Sequence, residues 1–430
     1  MITSSVFSGK KYAVLGLARS GLATVDALLA SGADVVAWDE KEEARAKVEG
    51  RATLADPLAI DLKGFDGVIV SPGVPIIRHP IRAKATEAGV PLIGDIELFA
   101  LARRTLPPHR VVGITGTNGK STTTALVTHI LETAGVPTLM GGNIGLPILS
   151  RDPLPAGGVY VLELSSYQID LTYNLACDVA VLLNVSPDHL DRYPDFEGYA
   201  ASKTRLFGMQ NISGYAVIGV DDEVSTAIAD MVDRLGRGQL RRFSRRQVGD
   251  QSNWPSLQGP HNAQNVVAAA NVAHLLGVPG DKIDQGVASY PGLPHRMERV
   301  GEKNGVLFVN DSKATNAMST APALAAYPKI HWILGGLPKS DELNDCAPYY
   351  DHVAAGYTIG EAGQMFARIL RDAGKPVTES GTLEQAVKDA AAAAKPGEVV
   401  MLSPACASFD QFRDFEARGD AFRAAVEALG

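Results

Sequence analysis

Cysteine is nearly absent from this chain. Three thiols, Cys177, Cys346 and Cys406, are spread over 430 residues, too few and too scattered for a disulfide framework or a cysteine-built zinc site. An excess of positive charge is missing as well. Forty basic side chains stand against 48 acidic ones, a formal charge of −8, and a protein that grips nucleic-acid phosphates needs a basic face. No nucleic-acid partner is expected. Long apolar runs are lacking too: Val266–Leu276 is interrupted by Asn271 and His274 and is too short for a bilayer. Met1–Lys11 carries no apolar core of the kind a secretory leader has, so the expectation is a cytoplasmic protein without membrane insertion. One local exception to the charge balance, Arg241-Arg242-Phe243-Ser244-Arg245-Arg246, reads as a solvated loop or a ligand-phosphate rim, with a nucleic-acid patch as the alternative.

What is present fits an ordinary globular protein, with 46% hydrophobic and 20% charged residues. At about 150 residues per domain the length accommodates roughly three domains, each with its own core. Short apolar runs alternate with helical patterns almost throughout. The strand candidates are Tyr12–Leu17, Asp34–Trp38, Gly67–Val70, Arg110–Ile114, Val159–Leu162, Val179–Asn184, Tyr215–Val220, Val306–Val309, His331–Leu334, Val353–Ile359 and Val399–Leu402. Such alternation predicts an α/β fold with parallel sheets covered on both faces. Ligands of these sheets sit beyond the carboxyl ends of the strands, so the chemistry is sought in the residues just after each run.

The chain is organised around Val111–Thr122, where an apolar run breaks into Gly116-Thr117-Asn118-Gly119-Lys120-Ser121-Thr122 and then a helical stretch, Thr123–Ala134. Glycines let backbone N–H groups curl round phosphate oxygens, and the helix N-terminus adds its positive end. Lys120 is placed for the terminal phosphates of ATP or GTP and Ser121 for Mg²⁺. Ile114 stands where the longer phosphate-loop spacing has a glycine, so this is a shortened variant; the competing reading is a glycine-rich βα turn with a surface lysine.

Residues 1–98 open with a strand, then Gly16-Leu17-Ala18-Arg19-Ser20-Gly21, with Asp39 ending the second strand about 20 residues on. This resembles a dinucleotide fingerprint, with Ala18 replacing the middle glycine. A nucleotide-type ligand and a purely structural turn both fit, and Ser71-Pro72-Gly73-Val74-Pro75 forms a rigid loop facing the same ligand. In residues 99–293, Gly141-Gly142-Asn143-Ile144-Gly145 reads as a flexible loop. Glu163 closes a strand parallel to that of the phosphate loop, the usual place for a second protein ligand to Mg²⁺; a helix N-terminal charge is the plainer account. His189, among carboxylates in Asp188-His189-Leu190-Asp191-Arg192-Tyr193, suits metal binding or proton handling. Lys203 reads as an exposed helix lysine within Phe196–Met209, and Pro260 starts an alanine-rich helix through Leu276 whose amides are placed for a base or ribose. In residues 294–430, after a Pro-Gly-Leu-Pro hinge, strand ends carry Asp311-Ser312-Lys313-Ala314-Thr315-Asn316, Gly335-Gly336 with Lys339, and Ser403-Pro404-Ala405-Cys406-Ala407-Ser408-Phe409-Asp410. Lysines, an arginine and hydroxyls there make a face for a carboxylate or phosphate. Cys406 is read as an unreactive thiol.

Taken together these clusters resemble the Mur ligase family of ATP-dependent acid–amino-acid ligases, over essentially the whole chain and in the same order. Gly116–Thr122 is family-wide; Gly142–Gly145, Glu163–Gln168 and Asp188–Tyr193 discriminate further; Asp311–Asn316, Leu402–Phe412 and Arg418-Gly419-Asp420-Ala421-Phe422 look like the D-glutamate-adding branch. The resemblance implies three α/β domains: a Rossmann-like N-terminal domain (1–98) for a UDP-sugar, a central P-loop ATPase domain (99–293) and a Rossmann-like C-terminal domain (294–430) for the amino acid. It implies ATP-driven activation of UDP-N-acetylmuramoyl-L-alanine as an acyl phosphate and attack by D-glutamate, in a monomer. Residue by residue, Gly116, Thr117, Asn118, Gly119, Lys120, Ser121, Thr122, Asn265, Arg296 and Asp311 would meet ATP; Ser121 and Glu163 would hold one Mg²⁺, and His189 with a carbamylated Lys203 a second. Arg19, Ser20, Asp39, Gly73 and Asn143 would hold the UDP-sugar, and Lys313, Thr315, Lys339, Ser403 and Phe409 the D-glutamate. Rival readings are a sister ligase such as a folylpolyglutamate synthase, a nicotinamide-dependent oxidoreductase drawn from residues 12–39, and a plain P-loop NTPase.

Overall fold

The structure is a computed structural model that describes residues 1–188 and 192–429. The chain divides into two compact units, Met1–Gln247 with Asn265–Val287, and Val248–Gln264 with Ala288–Gly430.

The first unit holds two sheets. One contains β1 (Lys11–Leu15), β2 (Asp34–Trp38), β3 (Thr53–Leu54), β4 (Gly67–Val70) and β5 (Leu92–Ile93) in the order β3-β2-β1-β4-β5, all parallel. The order reverses between β1 and β4, and the crevice there lies between the Gly16 turn and the Ser71 loop. The other contains β6 (His109–Thr115), β7 (Thr138–Gly142), β8 (Gly158–Glu163), β9 (Val179–Leu182), β10 (Tyr215–Gly219) and β11 (Gln239–Phe243), in the order β11-β10-β9-β6-β8-β7. Here β6 lies between β8 and β9, so the loop leaving β6 is flanked by the ends of both. Its strand β9 (Val179–Leu182) is apolar and buried on every residue, because helices cover both faces. A single core joins the two sheets, running from Ile2, Phe7 and Val14 through Phe99 in the helix Asp95–Ala102 to Val111, Tyr160 and Leu206. That helix buries Glu97, whose carboxylate accepts the Tyr173 and Asn174 backbone N–H groups at 2.7 and 2.9 Å.

The second unit holds β12 (Glu298–Lys303), β13 (Val306–Asn310), β14 (Ile330–Gly335), β15 (Val353–Ile359), β16 (Val377–Gly381) and β17 (Val399–Leu402), in the order β12-β13-β17-β14-β15-β16. One core cluster lies on each face, around Trp332 and Phe366 on one side and Phe308, Val387 and Phe422 on the other. The expectation of parallel pairing needs correction at β12, which is antiparallel to β13. The hairpin turns at Asn304-Gly305, both with positive φ (52° and 77°), a dipeptide that supplies the left-handed pair a two-residue hairpin requires.

Two further expectations are corrected. The arginine cluster is not a loop: Arg241 and Arg242 lie on the edge strand β11, with Arg242 2.7 Å from Asp230, and charge on an edge discourages pairing with another chain. Gly141 and Gly142 end β7 rather than forming a flexible loop, and a side chain at Gly142 would overlap the Glu163 carbonyl. Among the described residues, no helix is long and apolar enough to cross a membrane.

Candidate active site

At the carboxyl end of β6 the chain turns on Gly116 (φ 152°) and Gly119 (φ 85°), and the helix Lys120–Thr133 begins. A Cβ on Gly119 would overlap Asn265 Oδ1, so only glycine brings this backbone against Asn265 of the helix Pro260–Leu275. The loop is pinned to the residues after β9. Thr117 N–H donates to Asn184 O (2.9 Å), Asn118 N–H to Asn184 Oδ1 (2.8 Å), and Ser186 N–H to Thr117 Oγ1 (3.0 Å). Asn265 Oδ1 accepts from Thr123 Oγ1 at 3.1 Å. The Lys120 ammonium lies over the loop's own carbonyls, donating to Gly116 O at 2.9 Å and Thr117 O at 2.7 Å. Ser121 is buried in the first helical turn.

Glu163 ends β8 in register with Ile114 of β6 and is 2% exposed. Its Oε1 accepts from Asn143 Nδ2 at 2.8 Å; its Oε2 is buried with no hydrogen-bond donor among the described residues. An uncompensated carboxylate oxygen is costly in a protein interior, and its negative charge is suited to a cation. This is the observation that makes the site fit Mg²⁺. No group of three or more His, Cys, Asp or Glu side chains is assembled for a metal among the described residues, so a cation here needs the Ser121 hydroxyl and ligand oxygens to complete its shell.

Lys203 differs from its reading as an exposed helix lysine. It is 1% exposed, on the helix Phe196–Gly208, with Nζ 2.9 Å from Gly116 O and 4.5 Å from the centre of the Tyr199 ring. Burial, with the charge of Lys120, drives its pKa well below the ordinary lysine value, against the pull of Asp188, Asp170 and Glu163. Tyr199 OH lies 3.3 Å from Thr117 Oγ1, Tyr193 packs on Tyr199 and stacks on Tyr167, and Arg192 covers Tyr167. His189 lies outside the described residues.

At the β1–β4 crevice, Gly16 (φ 91°) packs on Ser71, whose hydroxyl donates to Gly16 O at 2.7 Å. Asp39 is occupied by backbone: Leu17 N–H reaches Oδ2 at 2.6 Å and Lys41 N–H reaches Oδ1 at 2.9 Å. Arg19 donates to Gly145 O at 2.7 Å, and Arg192 to Pro72 O and Gly73 O at 3.4 and 3.3 Å. A cavity of about 320 Å³ opens between Pro72, Val74–Arg78 and Tyr167, Asp170 and Arg192.

In the second unit, β13, β17 and β14 are neighbours, and the loops leaving them carry the remaining candidates. Asp311 is buried, accepting from Ser403 Oγ at 2.8 Å and Met297 N–H at 3.2 Å; burial raises its pKa to about 7, against the pull of those bonds and of Arg296. Ser403 thus turns its hydroxyl inward. Lys339 Nζ lies 3.1 Å from Thr315 Oγ1, Lys313 Nζ 3.8 Å from the centre of the Phe415 ring, and Phe409 is 69% exposed. Cys406 is buried, and burial lifts its thiol pKa to about 12, in keeping with an unreactive group.

Comparison with known proteins decides the family. The Mur ligase middle domain matches residues 114–253, and the Mur ligase glutamate ligase domain matches residues 295–406. A UDP-N-acetylmuramoylalanine–D-glutamate ligase of Novosphingobium aromaticivorans is 66% identical over 430 residues, covering all of this chain and 97% of the relative. One of the same name from Sphingopyxis alaskensis is 61% identical, with both chains fully covered. The chain belongs to the Mur ligase family. Its fold is also that of a MurF ligase from Thermotoga maritima solved in complex with ADP, at a TM-score of 0.62 and 17% identity, covering 99% of this chain and 97% of that one.

Within this Mur ligase, local sequence reasoning missed the burial of Lys203, the engagement of Asp39 with backbone and the buried Arg418. A guanidinium 1% exposed has no local signature; the apolar Phe415, Phe422 and Val426 on the same helix are the hint that this face is turned inward.

Proposed function

We propose that this Mur ligase joins D-glutamate to UDP-N-acetylmuramoyl-L-alanine in an ATP-dependent reaction of cytoplasmic peptidoglycan precursor synthesis. The observation that carries the reading is the phosphate loop with the Glu163 oxygen beside it, which has no hydrogen-bond donor among the described residues; the shared name of relatives at 60–66% identity supports the choice of substrates.

A carboxylate is a poor acylating agent, and the substrate carboxylate and the γ-phosphate repel one another. Lys120 and the loop N–H groups offset that repulsion and orient the γ-phosphate for attack by the carboxylate oxygen. The acyl phosphate so formed accepts the amine of D-glutamate, and phosphate leaves from the tetrahedral adduct. Ser121 and Glu163 hold one Mg²⁺, and Lys203 with His189 a second; bound there, Mg²⁺ neutralises phosphate charge. Lys203 serves as a carbamate: its uncharged amine attacks CO₂, a C–N bond forms, and the proton lost from nitrogen goes to solvent. A buried amine held at 2.9 Å from Gly116 O, its pKa lowered by burial and by the charge of Lys120, supports this assignment.

The remaining roles keep to the same division. Gly116–Thr122, Asn265, Arg296 and Asp311 meet ATP. Arg19, Ser20, Asp39, Gly73 and Asn143 meet the UDP-sugar. Lys313, Thr315, Lys339, Ser403 and Phe409 meet D-glutamate, within domains 1–98, 99–293 and 294–430 of a monomer. The test is phosphate release with the UDP-sugar, Mg²⁺ and ATP, adding D-glutamate, L-glutamate or nothing. Release with D-glutamate alone is expected. Release with L-glutamate instead overturns the donor, and release indifferent to amino acid overturns the ligase.

A further inference from the structure

Arg418 lies on the helix Phe415–Glu427 with 1% of its surface exposed. Its Nε donates to Ser312 Oγ (3.0 Å), Nη2 to Ser312 O (2.8 Å) and Cys406 O (3.0 Å), and Nη1 to Ala407 O (3.2 Å). All four acceptors are neutral. The third loop closes on the same group: Leu337 and Ala407 exchange N–H···O bonds at 2.9 and 3.0 Å, and a Cβ on Gly336 would press on Arg418 Nη1 at 3.1 Å. One side chain therefore ties together the loops that leave β13, β17 and β14.

Burying a guanidinium among neutral acceptors is a poor route to stability, because an apolar side chain of similar volume fills such a space at lower desolvation cost. Burial lowers the pKa of Arg418 to about 10, so it stays charged at neutral pH. What arginine provides and an apolar residue cannot is a planar fork that fixes acceptors on separate segments at set distances. Lysine is no substitute, since its donors radiate from one point.

We propose that Arg418 is the positioning residue of the amino-acid site: it sets the mutual spacing of the loops that carry Lys313, Thr315, Lys339, Ser403 and Phe409. This rests on the function proposed above. Those residues can engage a donor bearing two carboxylates and an amine only if three strand-end loops keep register, and Arg418 is the group that touches or abuts all three.

The test measures phosphate release by the full-length enzyme and its variants R418K, R418M and S312A. D-glutamate is varied at saturating ATP and UDP-sugar, then the UDP-sugar is varied at saturating D-glutamate. Expected is a rise in KM for D-glutamate of about tenfold or more in R418K and R418M, with the UDP-sugar KM within about twofold of wild type. S312A, which removes the Nε acceptor and the bond of the Ser312 hydroxyl to Phe415 O (2.8 Å), shifts the D-glutamate KM by about two- to fivefold in the same direction. A purely structural role would lower active enzyme without separating the two KM values. An unchanged D-glutamate KM in R418K of normal thermal midpoint overturns the proposal, as does a loss shared equally by both substrates. If R418M does not fold, R418K and S312A decide. Absence of D-glutamate-dependent release in the wild type overturns the proposed function, and this inference falls with it.

Discussion

The two candidate binding regions both sit at the ends of parallel strands, yet they are built by opposite means. Around the phosphate loop the left-handed backbone positions are glycines: Gly116, Gly119 and Gly142. In the C-terminal region Gly335 (φ 122°) and Gly336 (φ 127°) are joined by three residues that are not glycine, His295 (φ 61°), Met297 (φ 47°) and Ala405 (φ 56°), each carrying a side chain that disfavours the conformation by about 1–2 kcal/mol. Backbone bonds tie these strained turns directly to the Asp311 loop: Lys313 N–H to His295 O at 3.0 Å and Ala405 N–H to Ala314 O at 3.0 Å. The phosphate loop is a glycine turn that folds with little strain, its Thr117 and Asn118 N–H groups held by Asn184. The C-terminal site is a strained arrangement sustained by a side-chain network through Asn310, which donates to Glu298 Oε2 and Gly419 O at 3.0 and 3.1 Å, Arg418 and the Asp311–Ser403 pair.

The contrast can be broken first at its glycines. Gly119→Ala puts a Cβ against Asn265 and Leu183 at φ 85°, so both the loop and its helix must shift. The expected loss is about a hundredfold or more in kcat/KM for ATP, with about 1–3 kcal/mol of stability from backbone strain. Steady-state kinetics and denaturant unfolding check the two effects separately. Next in size is Glu163→Gln, which keeps the shape and removes the charge. The Mg²⁺ concentration giving half-maximal phosphate release is expected to rise about 10- to 100-fold; an unchanged Mg²⁺ dependence would remove Glu163 from the cation site.

The third prediction concerns the other region. Burial raises Asp311 to about 7 from its ordinary value of 3.8, so the folded protein holds this proton more tightly than the unfolded chain does. Between those two pKa values folding takes up a proton, and stability falls as pH rises. Asp311→Asn removes that contribution. Its thermal midpoint, relative to wild type, is therefore expected to be higher at about pH 7.5 than at about pH 4.5. A difference that is flat with pH would show that Asp311 ionises normally.

Legibility from residues alone splits along the same divide. The phosphate loop is contiguous, and each of its parts acts on its immediate neighbours, so glycine spacing and a strand–loop–helix pattern located it. The middle strands of each sheet were legible because they are buried on both faces; Asp34–Trp38, Gly67–Val70, Val353–Ile359 and Val399–Leu402 match the apolar runs end to end. The edge strands were not. Thr53–Leu54 and Leu92–Ile93 are two residues each, and Gln239–Phe243 and Val377–Gly381 are largely solvated, so neither pair has an apolar run to reveal it. Lys203 and Arg418 were opaque for a different reason. Their burial comes from packing between distant segments, and a lysine or arginine on a helix reads as exposed until the tertiary contacts are known.

The smallest expected effect bears most directly on the comparison, because it has the opposite sign. Ala405 is buried, sits at φ 56°, and its N–H is bonded to Ala314 O. Glycine adopts that conformation freely, so Ala405→Gly relieves about 1–2 kcal/mol of native-state strain. It also gives the unfolded chain more freedom, worth about 0.4–1 kcal/mol in the other direction. The difference is a net stabilisation of about 0–1.6 kcal/mol, a rise in thermal midpoint of at most roughly 3–6 °C for a unit of this size. Alanine for glycine should damage the phosphate loop while glycine for alanine should relax the C-terminal one. A fall in the midpoint of Ala405→Gly would mean that the alanine methyl packs too well to be counted as strain, and the two sites would then differ in chemistry but not in how their backbones are held.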